Sequence, residues 1–177
     1  MMGLQLVFVV ETNKKCNSDW IYIKATIEHF YEYERTQVKL STVYMDGKGN
    51  YKSKERKVAQ FVRQYGAMSK MNHSKVLYCF DCDDHDSDPS DQKFLREAKQ
   101  YCDRKGYDFV WFCKDVEQVY IGKRVDDSQK KKEAASFKAR KLIGKVDPKR
   151  LLENDYHICS SNIMSVLDRN PELTRKD

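Results

Sequence analysis

The chain has 177 residues, a net charge of +6, 40% hydrophobic and 12% aromatic residues, and only seven Gly and three Pro. That length supports one ordinary domain with a substantial core. The composition excludes a disordered protein and leaves no room for long flexible linkers, and no internal repeat is present.

The first apolar run, Leu4 to Val10, is too short to cross a bilayer and lacks the basic flank of a signal segment. It is read as a buried strand ending at Glu11, and the protein is expected to be soluble and cytoplasmic. Ser18 can cap a helix to about Tyr33, with Trp20, Ile23, Ile27 and Phe30 on its buried face. Val38 to Met45 reads as a second strand, followed by the turn-rich "DGKGN". Ser53 can cap a second helix with Val58, Phe61, Val62 and Tyr65 inward. Lys75 to Phe80 is a third strand, Pro89 to Lys105 a helix stopped by Gly106, and Tyr107 to Cys113 a fourth strand. Strands alternating with helices predict an α/β fold: a mostly parallel central sheet with helices on both faces.

Beyond Cys113 the pattern is helical. A short segment holds Val116, Val119 and Tyr120, and a longer helix is expected from about Asp127 to Ile143. Asp147-Pro148 reads as a cap and first residue, and a last short helix spans Asn162 to Leu167. Residues 171–177 are polar and expected to fray. Residues 1–125 form the α/β domain in this reading, and 126–177 a basic helical extension packed on it.

Six aspartates fall within eleven residues, at 81, 83, 84, 86, 88 and 91. Asp88 precedes Pro89 as a helix cap, and Asp91 in the first turn suits the helix dipole. The spacing Asp84-x-Asp86-x-Asp88 suggests a calcium loop, but Pro89 stands where that loop needs Gly and Leu95 where it needs Glu. Asp81 and Asp83 remain as D-x-D at the end of a central strand. Residues two apart in a strand point the same way, so these carboxylates are expected to share a hard cation, Mg²⁺ or Mn²⁺. The carboxyl ends of parallel strands share one sheet edge, which brings Glu11 to the same place.

Cys79 and Cys82 form a C-x-x-C near His85. A zinc or redox site there is the minor reading. Buried free thiols are the expected one, and Cys102 and Cys113 are read in the same way. Between Ile121 and Arg150 stand eleven Lys or Arg against four Asp or Glu. Lys131, Lys138 and Lys145 would line one side of a helix, with Lys130 and Lys141 beside them, and Ala135, Ala139 and Ile143 would face the domain. Such a ridge suits a phosphate backbone without reading sequence; the alternative is a solvated charged helix.

A Glu after the first strand ("VFVVETNKK") and an Asp-x-Asp-Asp-His after the third ("LYCFDCDDHD") resemble the Toprim domain, and most closely its RloB-like family. "WFCKDVEQVYIGK" lies where that family has an Asn-Pro-x-Phe-Glu stretch, here reduced to Val116-Glu117. The family's Glu-Gly after the first strand reads Glu11-Thr12 here. The resemblance covers roughly residues 4 to 125. It implies a metal-dependent nuclease acting on DNA or RNA, in a mobile-element or phage-defence setting, beside an ATPase partner. It further implies Asp81 and Asp83 as Mg²⁺ ligands, with Asp84 beside them. Glu11 would be a general acid/base or a further metal ligand, and Glu117 would complete a second metal site. His85 reads either as a residue behind these ligands or as a plain loop histidine. A catalytically silent nucleic-acid-binding or partner-regulating module is the alternative.

Overall fold

The computed structural model describes residues 3–176. Among these residues seven strands and six α-helices follow one another. They are β1 (Leu4–Val10), α1 (Ser18–Phe30), β2 (Tyr31–Glu32), β3 (Val38–Tyr44), α2 (Glu55–Met68), β4 (His73–Asp81), α3 (Pro89–Lys105), β5 (Asp108–Cys113), α4 (Val116–Ile121), α5 (Asp127–Ala139), β6 (Ser160–Ser161), α6 (Ile163–Leu167) and β7 (Thr174–Arg175). The central sheet has the order β3-β1-β4-β5-β6. Its first four strands are mutually parallel, and β6 joins antiparallel at the edge. The fold is therefore α/β with a mostly parallel five-stranded sheet. No helix among the described residues is long and apolar enough to cross a membrane.

Strand alternation divides the core into two layers. Leu4, Leu6, Phe8 and Val10 face α1, α4, α5 and α6. Val7 and Val9 face α2 and α3. Polar side chains enter this core too. Gln5 is fully buried, donating from Nε2 to Ser41 Oγ on β3 and accepting from Ser74 Oγ on β4, each at 2.9 Å.

The caps of α3 follow the sequence. Asp88 accepts from Ser90 N at 2.7 Å, and Gly106 ends the helix in the left-handed conformation. Elsewhere the boundaries differ. Asn17, not Ser18, precedes α1, and Ser53 donates to the Asn50 carbonyl within 3₁₀ turns that lead into α2. The chain leaves α1 at Phe30 to form β2, which pairs with β7. The segment expected to fray is thereby tied down, with Leu173 buried and Arg175 paired to Asp168.

The basic helix is shorter than its charge pattern suggested. α5 ends at Ala139, and Lys141 adopts a left-handed conformation before a 3₁₀ turn over Leu142–Lys145. The straight line through Lys131, Lys138 and Lys145 is broken there. Ala135 and Ala139 are exposed, and α5 docks instead through Ala134 and Phe137. The Phe137 ring lies 4.9 Å from Tyr22 of α1 and 5.9 Å from Tyr120 of α4. Residues 134–173 thus share one core layer with β1 and α1.

Candidate functional site: a buried carboxylate cluster

At the carboxyl ends of β1 and β4 lies a hollow of about 370 Å³, lined in part by Glu11, Asp19, Asp46, Asp81, Asp127 and Lys130. The sheet brings Glu11 and Asp81 together. Glu11 Oε1 accepts from the Asp81 amide at 2.8 Å, and Asp81 Oδ1 accepts from the Val116 amide at 3.0 Å. Asp19, in the first turn of α1, accepts from the Thr12 amide at 3.0 Å. Glu117, in the first turn of α4, is fully buried, and neither carboxylate oxygen has a hydrogen-bond partner. Lys130 of α5 reaches in from solvent, 3.7 Å from Glu117 and 3.4 Å from Asp127.

Loss of water and mutual repulsion dominate the electrostatics. Desolvation, with the like charge of Asp19 adding to it, pushes Glu11 from its ordinary 4.5 up to about 8. Desolvation raises Glu117 to about 7 against the pull of Lys130. Burial also raises Asp19, and raises Asp81 strongly, with Glu11, Asp19 and Glu117 adding to the effect on Asp81. Burial opposes the charge on Lys130, but Glu117, Asp81 and Asp127 outweigh it and hold the ammonium. Carboxylates outnumber the one ammonium at this hollow, so the cluster requires protons or cations.

Asp83, Asp84, Asp86 and Asp91 do not line this hollow, although the charge of Asp83 still acts on Glu11. β4 ends at Asp81, and Asp83 has a left-handed backbone (φ 49°), so strand alternation no longer aligns the two side chains. Asp83 is instead paired with Lys48, which also holds Asp91 at 2.9 Å. Asp84 and Asp86 share Lys114, at 3.2 and 3.3 Å. Asp91 also accepts from the Asp84 amide at 3.1 Å, so it secures the loop as well as the helix end. Lys131, Lys138, Lys141 and Lys145 are exposed, whereas Lys130 belongs to the carboxylate cluster rather than to an outer ridge.

Asp19 escaped sequence reasoning because an acidic residue in a first helical turn is already explained by the dipole. Its distinguishing signal is position, eight residues after the carboxylate that ends β1.

Comparison with protein-family models, with curated proteins and with solved structures gave no match.

Proposed function

We propose that the chain is a divalent-cation-dependent phosphodiesterase, a nuclease in the broad sense. The observation that carries this reading is the meeting of Glu11, Asp19 and Asp81 at one hollow with Lys130, whose ammonium also lies 3.7 Å from the buried Glu117. The donor set is all oxygen, and Glu117 holds two buried oxygens without partners, which fits a hard cation such as Mg²⁺ or Mn²⁺. Asp81 and Glu117 would hold the ion, with Asp19 behind them. Asp83, engaged by Lys48, is not assigned to it. When bound, the cation would polarise the phosphate and offset its developing charge. Glu11 is part-exposed and its carboxyl is raised to about 8, which suits a general acid or base. The exposed lysines of residues 131–145 supply sequence-independent attraction for a phosphate backbone. The resemblance to Toprim domains, carried by Glu11 and the stretch Asp81-x-Asp83-Asp84-His85, supports the same reading.

The test is cleavage of single- and double-stranded DNA and RNA with Mg²⁺, with Mn²⁺ and with EDTA. Activity should require the cation and fall roughly 10²-fold or more in Glu11→Gln and in Asp81→Asn. Cleavage that survives EDTA would sink the idea. One observation favours a second reading. Lys130 already serves as an internal counter-ion, so the pocket has a stable state without metal. That suits a catalytically silent nucleic-acid-binding module, which would show steeply salt-dependent binding and no turnover.

A further inference from the structure

On the opposite face of the sheet, the loop after β4 brings three soft ligands together. In the β4–β5 ladder Asp81 stands opposite Phe112. Backbone bonds continue past the strand ends, from Cys82 N to the Phe112 carbonyl at 2.9 Å and from Asp83 N to the Lys114 carbonyl at 2.8 Å. This extension sets Cys82 beside Cys113 in the layer that faces α2 and α3, both almost wholly buried. A turn then returns His85, whose amide donates to the Cys82 carbonyl at 3.2 Å. The ligand atoms of Cys82, His85 and Cys113 lie within 4.8 Å of one another, the one such triple of His, Cys, Asp or Glu among the described residues. Ligand edges around a tetrahedral zinc ion are roughly 3.4–3.8 Å, as bond lengths of ~2.3 Å to sulfur and ~2.0 Å to nitrogen require.

A second observation points to a ligand. His85 Nδ1 is buried and has no hydrogen-bond partner. Buried polar atoms rarely stay unpaired without a reason. The ring is held edge-on by Tyr156, 5.0 Å between centroids, and Tyr156 in turn packs on Trp111 at 4.8 Å. The imidazole is thus fixed by aromatic packing, while this nitrogen is left without a hydrogen bond.

We propose that Cys82, Cys113 and His85 bind Zn²⁺, with water in the fourth position. Two thiolates cancel the charge of the ion, so the set is neutral where it is buried, and binding releases the two thiol protons to solvent. Cys79 takes no part. It stands three residues before Cys82 and packs in the other layer, so C-x-x-C is not the ligand motif. The ion would fasten the acidic loop to the end of β5 and fix the path of the chain beyond Asp81. Its ligands lie in the core layer on the other side of the sheet from Phe8 and Val10, and its soft donors differ from the oxygens of the hollow.

The experiment is a Co²⁺ titration of the reduced full chain, followed by Zn²⁺ displacement. One equivalent should give the thiolate-to-cobalt charge-transfer band and the tetrahedral d–d bands, and Zn²⁺ should abolish both. Cys79→Ala should leave the spectrum unchanged. Cys113→Ser should lose most of the charge-transfer intensity, and His85→Gln should weaken binding at least about tenfold. No band in the wild type would overturn the site, as would a spectrum indifferent to His85→Gln. Reversible formation of a Cys82–Cys113 disulfide with no cobalt band would overturn it in favour of a redox pair. Should Cys113→Ser fail to fold, the wild-type spectrum and His85→Gln still decide.

Discussion

Lys130 neutralises a hollow that contains more carboxylates than it can pair with. Its removal leaves Glu117 and Asp81 without the ammonium that favours their charged forms. Breaking a buried ion pair costs ~3–5 kcal/mol when the surviving charge cannot escape. Here Glu117 can take up a proton, so Lys130→Met should cost less, about 2 kcal/mol near pH 8. The loss should shrink near pH 5, where Glu11 and Glu117 are protonated in the wild type as well. Denaturant titrations at the two pH values would check both statements, and an equal loss at each would refute the account. Glu11 and Asp81 were legible as partners because both end parallel strands. The role of Lys130 was not, because one lysine in a run of three looks the same in sequence whichever way it points.

At the scale of elements, α5 contributes to the site through its packing. Phe137 is enclosed by Tyr22 and Tyr120, and this contact orients the turn that carries Lys130. Phe137→Ala should cost about 3–5 kcal/mol by leaving a cavity. It should also weaken divalent-cation binding at the hollow, although Phe137 does not line it. Calorimetry on the folded variant would show whether docking and ion affinity are coupled; unchanged affinity would mean that α5 does not set the site. The long elements were legible because each buries enough residues to impose a period of two or 3.6. β2, β6 and β7 have two residues each and no period to read. The end of α5 carried no Gly or Pro, so the left-handed turn at Lys141 left no mark in the sequence.

For the whole molecule, pH and cations should act on one equilibrium. Glu11 and Glu117 keep their protons in the folded state to about 8 and about 7, while unfolded carboxylates release theirs near the ordinary 4.5. Between these limits the folded chain binds more protons than the unfolded one, so raising pH favours unfolding. In EDTA, Tm should therefore fall as pH rises from about 5 to about 8. Mg²⁺ should oppose the fall, with its largest effect at the alkaline end, because it competes with the proton on Glu117. Calorimetric scans across that range, with and without Mg²⁺, would check it. A flat profile in EDTA would mean that the carboxylates are already ionised.

Gln5 lies at the far end of the sheet from all of this chemistry, yet it governs whether the chemistry assembles. Apolar alternation penalises a strand displaced by one residue, because inward and outward faces exchange. It is blind to a displacement by two, which restores the faces but shifts the strand by about 6.6 Å. Gln5, hydrogen-bonded to Ser41 and Ser74, detects the second kind of error, because its buried amide would lose its partners. The same slip would carry the Asp81 amide away from Glu11. Odd errors are rejected by hydrophobicity and even errors by one glutamine. The carboxylates therefore come into phase only in the single alignment that satisfies both checks.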